Sequence, residues 1–287
     1  MNGLKTAILL GALSGLLLMG GQTIGGQQGL LIALGLAVVM NMGSYFFSDK
    51  IALSMYHAQP VSPTENQQIY RRIGPMTQEL SRRMGIPMPK LWVIPDHSPN
   101  AFATGRNPSH ASVAVTQGIL ELMNDQEVEG VIAHELGHVM HRDILISSIA
   151  ATIAAALTSL AQMAFFLGGR HGDDEEGGMN PIAGLLMLMV APIAAGLIQM
   201  AISRTREYSA DAAAAKYTGS PDGLISGLRK LEGFSKRIPM EASPATAHMF
   251  IIKPFTRQAL ASLFSTHPPT EKRIEHLMSL RGQAVAY

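Results

Sequence analysis

"VIAHELGHVMHRDILISSIAATIAAALTSLAQMAFF", residues 131–166, sets two chemistries end to end. Its first half holds His134, Glu135 and His138 in the pattern H-E-x-x-H. On a helix, positions i and i+4 share a face with Cβ atoms about 5–6 Å apart, so both imidazoles can meet one metal ion. Its second half is uncharged from Ile144 onward and suits a lipid bilayer. Hydrolysis needs water, and a bilayer core excludes it. The fold has to reconcile the two halves.

Helical context surrounds the first half. In "MNDQEVEGVIAHELGHVMHRD" (123–143), Asn124 is an N-cap candidate and Glu127, three residues on, completes a capping box. Val128, Ile132 and Leu136 supply a packing stripe. Glu135 sits beside a ligand position, where it can reach water at the metal without binding the metal itself. The chain has no cysteine, so a metal must use His, Asp or Glu.

Two routes to a third ligand are open. His141 lies three residues after His138, but ligands at all three histidines crowd one helix face. "SRTREYSAD" (203–211) places Glu207 and Asp211 four apart on a second helix. Glu207 completes a His₂Glu set that leaves one position for water. Asp211 can accept a hydrogen bond from the far nitrogen of a ligating histidine. The plain alternative is an exposed acidic pair balanced by Arg204 and Arg206.

Working outward, no Asp, Glu, Lys or Arg falls between Lys5 and Asp49. Two apolar blocks in that interval flank "GGQTIGGQQG" (20–29), a polar turn, and each approaches the roughly 20 residues a spanning helix needs. The first block would also serve as a cleaved leader. The lack of a small-x-small site before Gln22 and the prompt second block favour an uncleaved anchor. Further uncharged runs cover 144–169 and 177–203, the latter with Pro192 inside, joined by "RHGDDEEGG" (170–178). They read as spanning helices, with a buried soluble hairpin as the alternative. Arg170 is the single basic residue in the loops between paired runs, so the positive-inside rule puts both termini and the middle segment in the cytoplasm.

This gives an N-terminal membrane hairpin at 1–48 and the first part of a cytoplasmic domain at 49–143. A second hairpin follows at 144–203, with an external loop at 169–180, and the rest of the domain at 204–287. Residues 65–87 read as a helix stopped by Gly85 and Pro87, "KLWVI" (90–94), "NAFATG" (100–105) and "ASVAVTQG" (111–118, with Val113 and Val115 alternating with smaller residues) read as strands, and 238–255 reads as a loop. The fold class is mainly α, with four hydrophobic helices and a small β-sheet. Charged residues are only 15%, low for a soluble chain, and a net charge of +1 argues for no nucleic-acid partner. No G-x-x-x-x-G-K-[ST] occurs, so no nucleotide site is expected.

"HELGH" (134–138), "SRTREYSAD", "NAFATG" and "THPPTEKRI" (266–274) together resemble the HtpX family of membrane zinc metalloproteases, relatives of the CAAX prenyl proteases. The resemblance covers essentially the whole chain. It implies a gluzincin-like zincin domain binding one Zn²⁺ through His134, His138 and Glu207, with Glu135 as general base and acid. It places Asp211 behind the ligands, and Asn100, Ala101 and Phe102 beside an extended substrate. His267 becomes a transition-state donor or, equally, part of a helix start. Arg204 and Arg273 contact the site or brace its carboxylates. It further implies protein or peptide substrates, membrane proteins among them, a lipid bilayer around the hairpins, the bacterial inner membrane, and quality control. Two other readings stay open: a prenyl-protein protease, and a non-catalytic scaffold with a structural metal. A structural site, however, normally fills all four positions with protein ligands.

Overall fold

The computed structural model describes residues 2–147, 149, 204–237 and 268–281. Most of the third and fourth apolar runs, the loops at 169–180 and 238–255, and His267 lie outside them. The described residues are mainly helical, with one small mixed sheet.

Helical structure runs from Asn2 to Met55 as α1. It is not one straight rod. Gly26 stands at φ 55, in the left-handed region, and Asn41 Nδ2 donates to Ser14 Oγ at 2.8 Å across 27 residues. A straight helix would separate those residues by about 40 Å at 1.5 Å per residue, so the chain folds back near Gly26. The polar decapeptide expected as a turn is therefore helical on both sides of a one-residue reversal. Gly26–Phe47 is long and apolar enough to cross a membrane. Leu31, Ile32 and Val39 along it are 64%, 74% and 67% exposed. The helix also runs past residue 48. Asp49 and Lys50 do not end it, because Ala52 and Leu53 beyond them are buried against the sheet.

The sheet comprises β1 (Gln59–Val61), β2 (Lys90–Ile94), β3 (Ala101–Gly105) and β4 (Ala111–Thr116), in the order β1-β2-β4-β3. β2 and β4 are parallel and the other two pairings are antiparallel. Alternation divides its faces. Leu91, Val93, Ala103, Val113 and Val115 join the main core, while Ile94, Phe102 and Ala114 meet Ala52 and Leu53 of α1. Gly105 at φ 132 turns β3 into β4 so tightly that a Cβ would collide with the His110 carbonyl.

α2 (Gln67–Met84) buries Ile73 and Leu80 on the main face and stops at Gly85 in the left-handed conformation. α3 (Gln117–Leu122) leads to α4 (Asp125–Met140), the helix of the His motif. Asn124 and Glu127 form the capping box. Glu127 also accepts from Ser226 and Lys230, both at 2.6 Å, tying α4 to α6 (Asp222–Arg237). α5 (Arg204–Thr218) packs along α4, and α7 (Thr270–Ser279) packs on α5 and α6. The stripe Val128, Ile132 and Leu136 is at most 1% exposed, contributing about 1.5–3 kcal/mol per side chain.

Candidate metal centre

α4 lies close to α5 because Gly137 has no side chain. A Cβ there would stand 3.0 Å from the Ala210 Cα. This approach brings Glu207 to the two histidines. His134 Nε2 is 3.6 Å from Glu207 Oε2, and His138 Nε2 is 3.5 Å from Glu207 Oε1. One donor atom from each residue falls within 4.8 Å of the others, a group able to hold a metal ion.

The far nitrogens face acidic groups. His134 Nδ1 is 2.9 Å from Asp211 Oδ1, and His138 Nδ1 is 3.4 Å from Asp143 Oδ2. A ring that donates from Nδ1 keeps its lone pair on Nε2, the nitrogen turned toward Glu207. Two imidazole nitrogens and one carboxylate are the donor chemistry of a catalytic zinc set, so the residues fit such an ion.

Arg273 closes the centre from α7. It is 1% exposed and grips Asp211 with two bonds, Nη2 to Oδ1 at 2.7 Å and Nε to Oδ2 at 3.0 Å. Its Nη1 stands 3.9 Å from Glu207 Oε2. Burial pushes Asp211 up, but Arg273 and His134 outweigh it and hold the carboxyl at about 2. Burial, with Arg273 adding to it, brings His134 down to about 4. Burial acts the same way on His138, yet Glu207, Asp143 and Glu135 push that ring up to about 9.

Glu135 is 5% exposed, and its Oε2 accepts the Ala103 amide of β3 at 2.8 Å. The "NAFATG" strand therefore touches the acidic residue of the motif directly. The Thr116 amide donates to the Asn100 carbonyl, and the Thr116 hydroxyl accepts from the Asn100 amide and donates to the same carbonyl, which fixes where β3 begins. Ala101 and Phe102 are buried in β3, facing the main core and α1 respectively. β3 is the sheet's edge but is buried along its length. Arg204 opens α5, with its side chain outside the described atoms, and His141 forms the C-cap of α4.

Asp143 is absent from the candidates that the sequence offers. Arg142 takes a left-handed φ of 59 and returns Asp143 to the helix end, where its amide donates to the His138 carbonyl at 2.9 Å. A glycine would have advertised that reversal, and here an arginine makes it.

Residues 63–281 match Peptidase family M48. The chain is 52% identical to a Protease HtpX homolog of Desulfatibacillum aliphaticivorans, over 99% of this chain and 91% of that one. It is also 52% identical to a Protease HtpX homolog of Ralstonia nicotianae, over 97% and 96%. The crystal structure of S. mikatae Ste24p matches in fold, with a TM-score of 0.51 at 20% identity; the match covers 96% of this chain and 65% of that one. Catalytic-motif helix, paired acidic helix and full-length likeness agree: the chain belongs to the HtpX proteases of peptidase family M48.

Proposed function

We propose that the protein is a membrane-embedded zinc endopeptidase that hydrolyses peptide bonds of membrane or misfolded proteins at the cytoplasmic face of the bacterial inner membrane, in membrane protein quality control. The observation that carries this reading is the convergence of His134, His138 and Glu207 beside a Glu135 fixed by the Ala103 amide. His134, His138 and Glu207 hold the ion. Bound zinc supplies Lewis acidity toward water and toward the substrate carbonyl. Glu135 takes a proton from the attacking water and passes it to the leaving amine. Asp211 and Asp143 hold the two rings with Nε2 inward, and Arg273 fixes Asp211. The outward backbone groups of β3 pair with an extended substrate. Because β3 is buried, a peptide reaches that edge only after the cleft opens. His267 remains a candidate donor to the transition state, and Arg204 a brace.

The membrane arrangement rests on the exposed apolar face of α1 and on the distribution of basic residues. Hairpins at 1–48 and 144–203, with the catalytic parts 49–143 and 204–287 and both termini in the cytoplasm, meet both constraints.

The test compares wild type with Glu135→Ala, each chelated and then reloaded with zinc. The expected result is loss of proteolysis in the variant with zinc stoichiometry unchanged. Equal cleavage by both removes Glu135 from the role of base.

A further inference from the structure

The N-terminal helix and the strand beside Glu135 measure the same distance from a common mark. The membrane-length segment ends at Phe47, amid Tyr45, Phe46 and Phe47, with Lys50 one turn on. Phe46 and Phe47 are 47% and 52% exposed. Aromatic rings followed by basic groups mark the headgroup level of a bilayer. Arg106, just after β3, stacks over Phe46 at 5.2 Å, so the bilayer end of β3 lies at that level. At its other end Phe102 packs with Ala52 and Leu53, and its ring lies 5.5 Å from Tyr56.

Along the helix, six to ten residues from Phe46 to Ala52–Tyr56 rise about 9–15 Å. Along the strand, four residues from Arg106 to Phe102 span about 13 Å. The two lengths agree, so β3 runs beside α1, away from the lipid. Ala103, whose amide holds Glu135, is three residues from Arg106, about 10 Å. A tilt of about 20° removes only about 0.6 Å of that height.

We propose that the site acts on juxtamembrane segments: the scissile bond sits about 10 Å beyond the headgroup level, within about three extended or seven helical residues of a substrate's membrane span. This rests on the protease reading above. A peptide leaving the bilayer beside Arg106 and following β3 arrives at Glu135 before it has travelled further into water. Longer tails reach the site only by looping back.

The test uses the full zinc-loaded chain in vesicles of phosphatidylethanolamine and phosphatidylglycerol. The substrate is one apolar spanning helix followed by a flexible tail of identical six-residue units, with cut positions read by mass spectrometry. The same tail without its anchor is offered separately. The expected result is cutting concentrated in the first unit after the span, about tenfold above distal units, with cleavage of the unanchored tail as well. Even or distal cutting overturns the proposal and leaves the protease reading standing. Cleavage of neither substrate overturns both. The chain has no cysteine, so Arg106→Cys, at the Gly105 end of β3, and His97→Cys, in the exposed loop that enters β3 at its other end, each carry one fluorophore for depth quenching by headgroup-labelled lipid. Quenching at position 106 and little at 97 is expected. Equal quenching, or more at 97, overturns the geometry.

Discussion

His134 and His138 stand four residues apart on one helix, yet they are held in different ways. Asp211 behind His134 is wholly buried and gripped twice by Arg273, so this arm joins α4, α5 and α7. Behind His138 the Asp143 contact is longer, 3.4 Å against 2.9 Å, and comes from the chain just after the same helix. Its cationic neighbour, Arg206, approaches only to 3.8 Å. One ring is therefore set by tertiary structure and the other by local backbone. The first arm should fail by destabilising the fold, the second by loosening a single ligand.

Glu207→Ala removes the carboxylate that both rings face. It is expected to weaken zinc binding beyond the 10–100-fold typical of losing an outer partner. Competition with a chromogenic chelator measures this, and unchanged affinity would move the third ligand elsewhere, with His141 first in line. Asp211→Ala comes next. It strands Arg273 in the interior, and a buried pair broken on one side costs about 3–5 kcal/mol, readable by thermal unfolding in detergent. Asp211→Asn should keep more of the fold but lower zinc affinity about 100-fold. For Asp143→Asn the expected loss is nearer tenfold, with little change in melting temperature. Equal effects from both Asn variants would erase the distinction between the arms.

A separate effect concerns acid and the start of the same helix. Burial raises the Glu127 carboxyl, but Lys230, Ser226 and the Asn124 amide together hold it below the ordinary range. A depressed carboxyl contributes stability above its unfolded value of about 4.3 and loses it as pH falls through the folded value. Glu127→Gln should cost about 1.5–3 kcal/mol at neutral pH. Its melting temperature should then fall less than wild type's between pH 5 and 3. Parallel curves would mean that Glu127 is not a titrating contributor.

What the sequence reveals follows the range of the interactions. The Asn124–Glu127 cap, the short strand "KLWVI" and the stop at Gly85 depend on neighbours a few residues away, and they are legible. Glu207 and Asp211 point to the histidines through residue type and spacing. The double grip of Arg273 on Asp211 spans 62 residues, and the Ala103 amide meets Glu135 across 32. No local pattern encodes either. Asp143 is near in sequence but hidden, because an arginine makes its left-handed turn. The helix past residue 48 is hidden for another reason. Its charges signal an end, while the burial that prolongs it comes from strands 40 to 60 residues later.

Along an edge strand, outward backbone groups recur at every second residue. On β3 these are Ala101, Ala103 and Gly105, since Asn100 pairs inward with Thr116. The Ala103 amide is already committed to Glu135. The Ala103 rung is taken within the protein itself, and it lies at the carboxylate. The backbone thus carries a fixed zero point, independent of side-chain pockets. Under the proposed function it would set the phase of a polypeptide paired along β3.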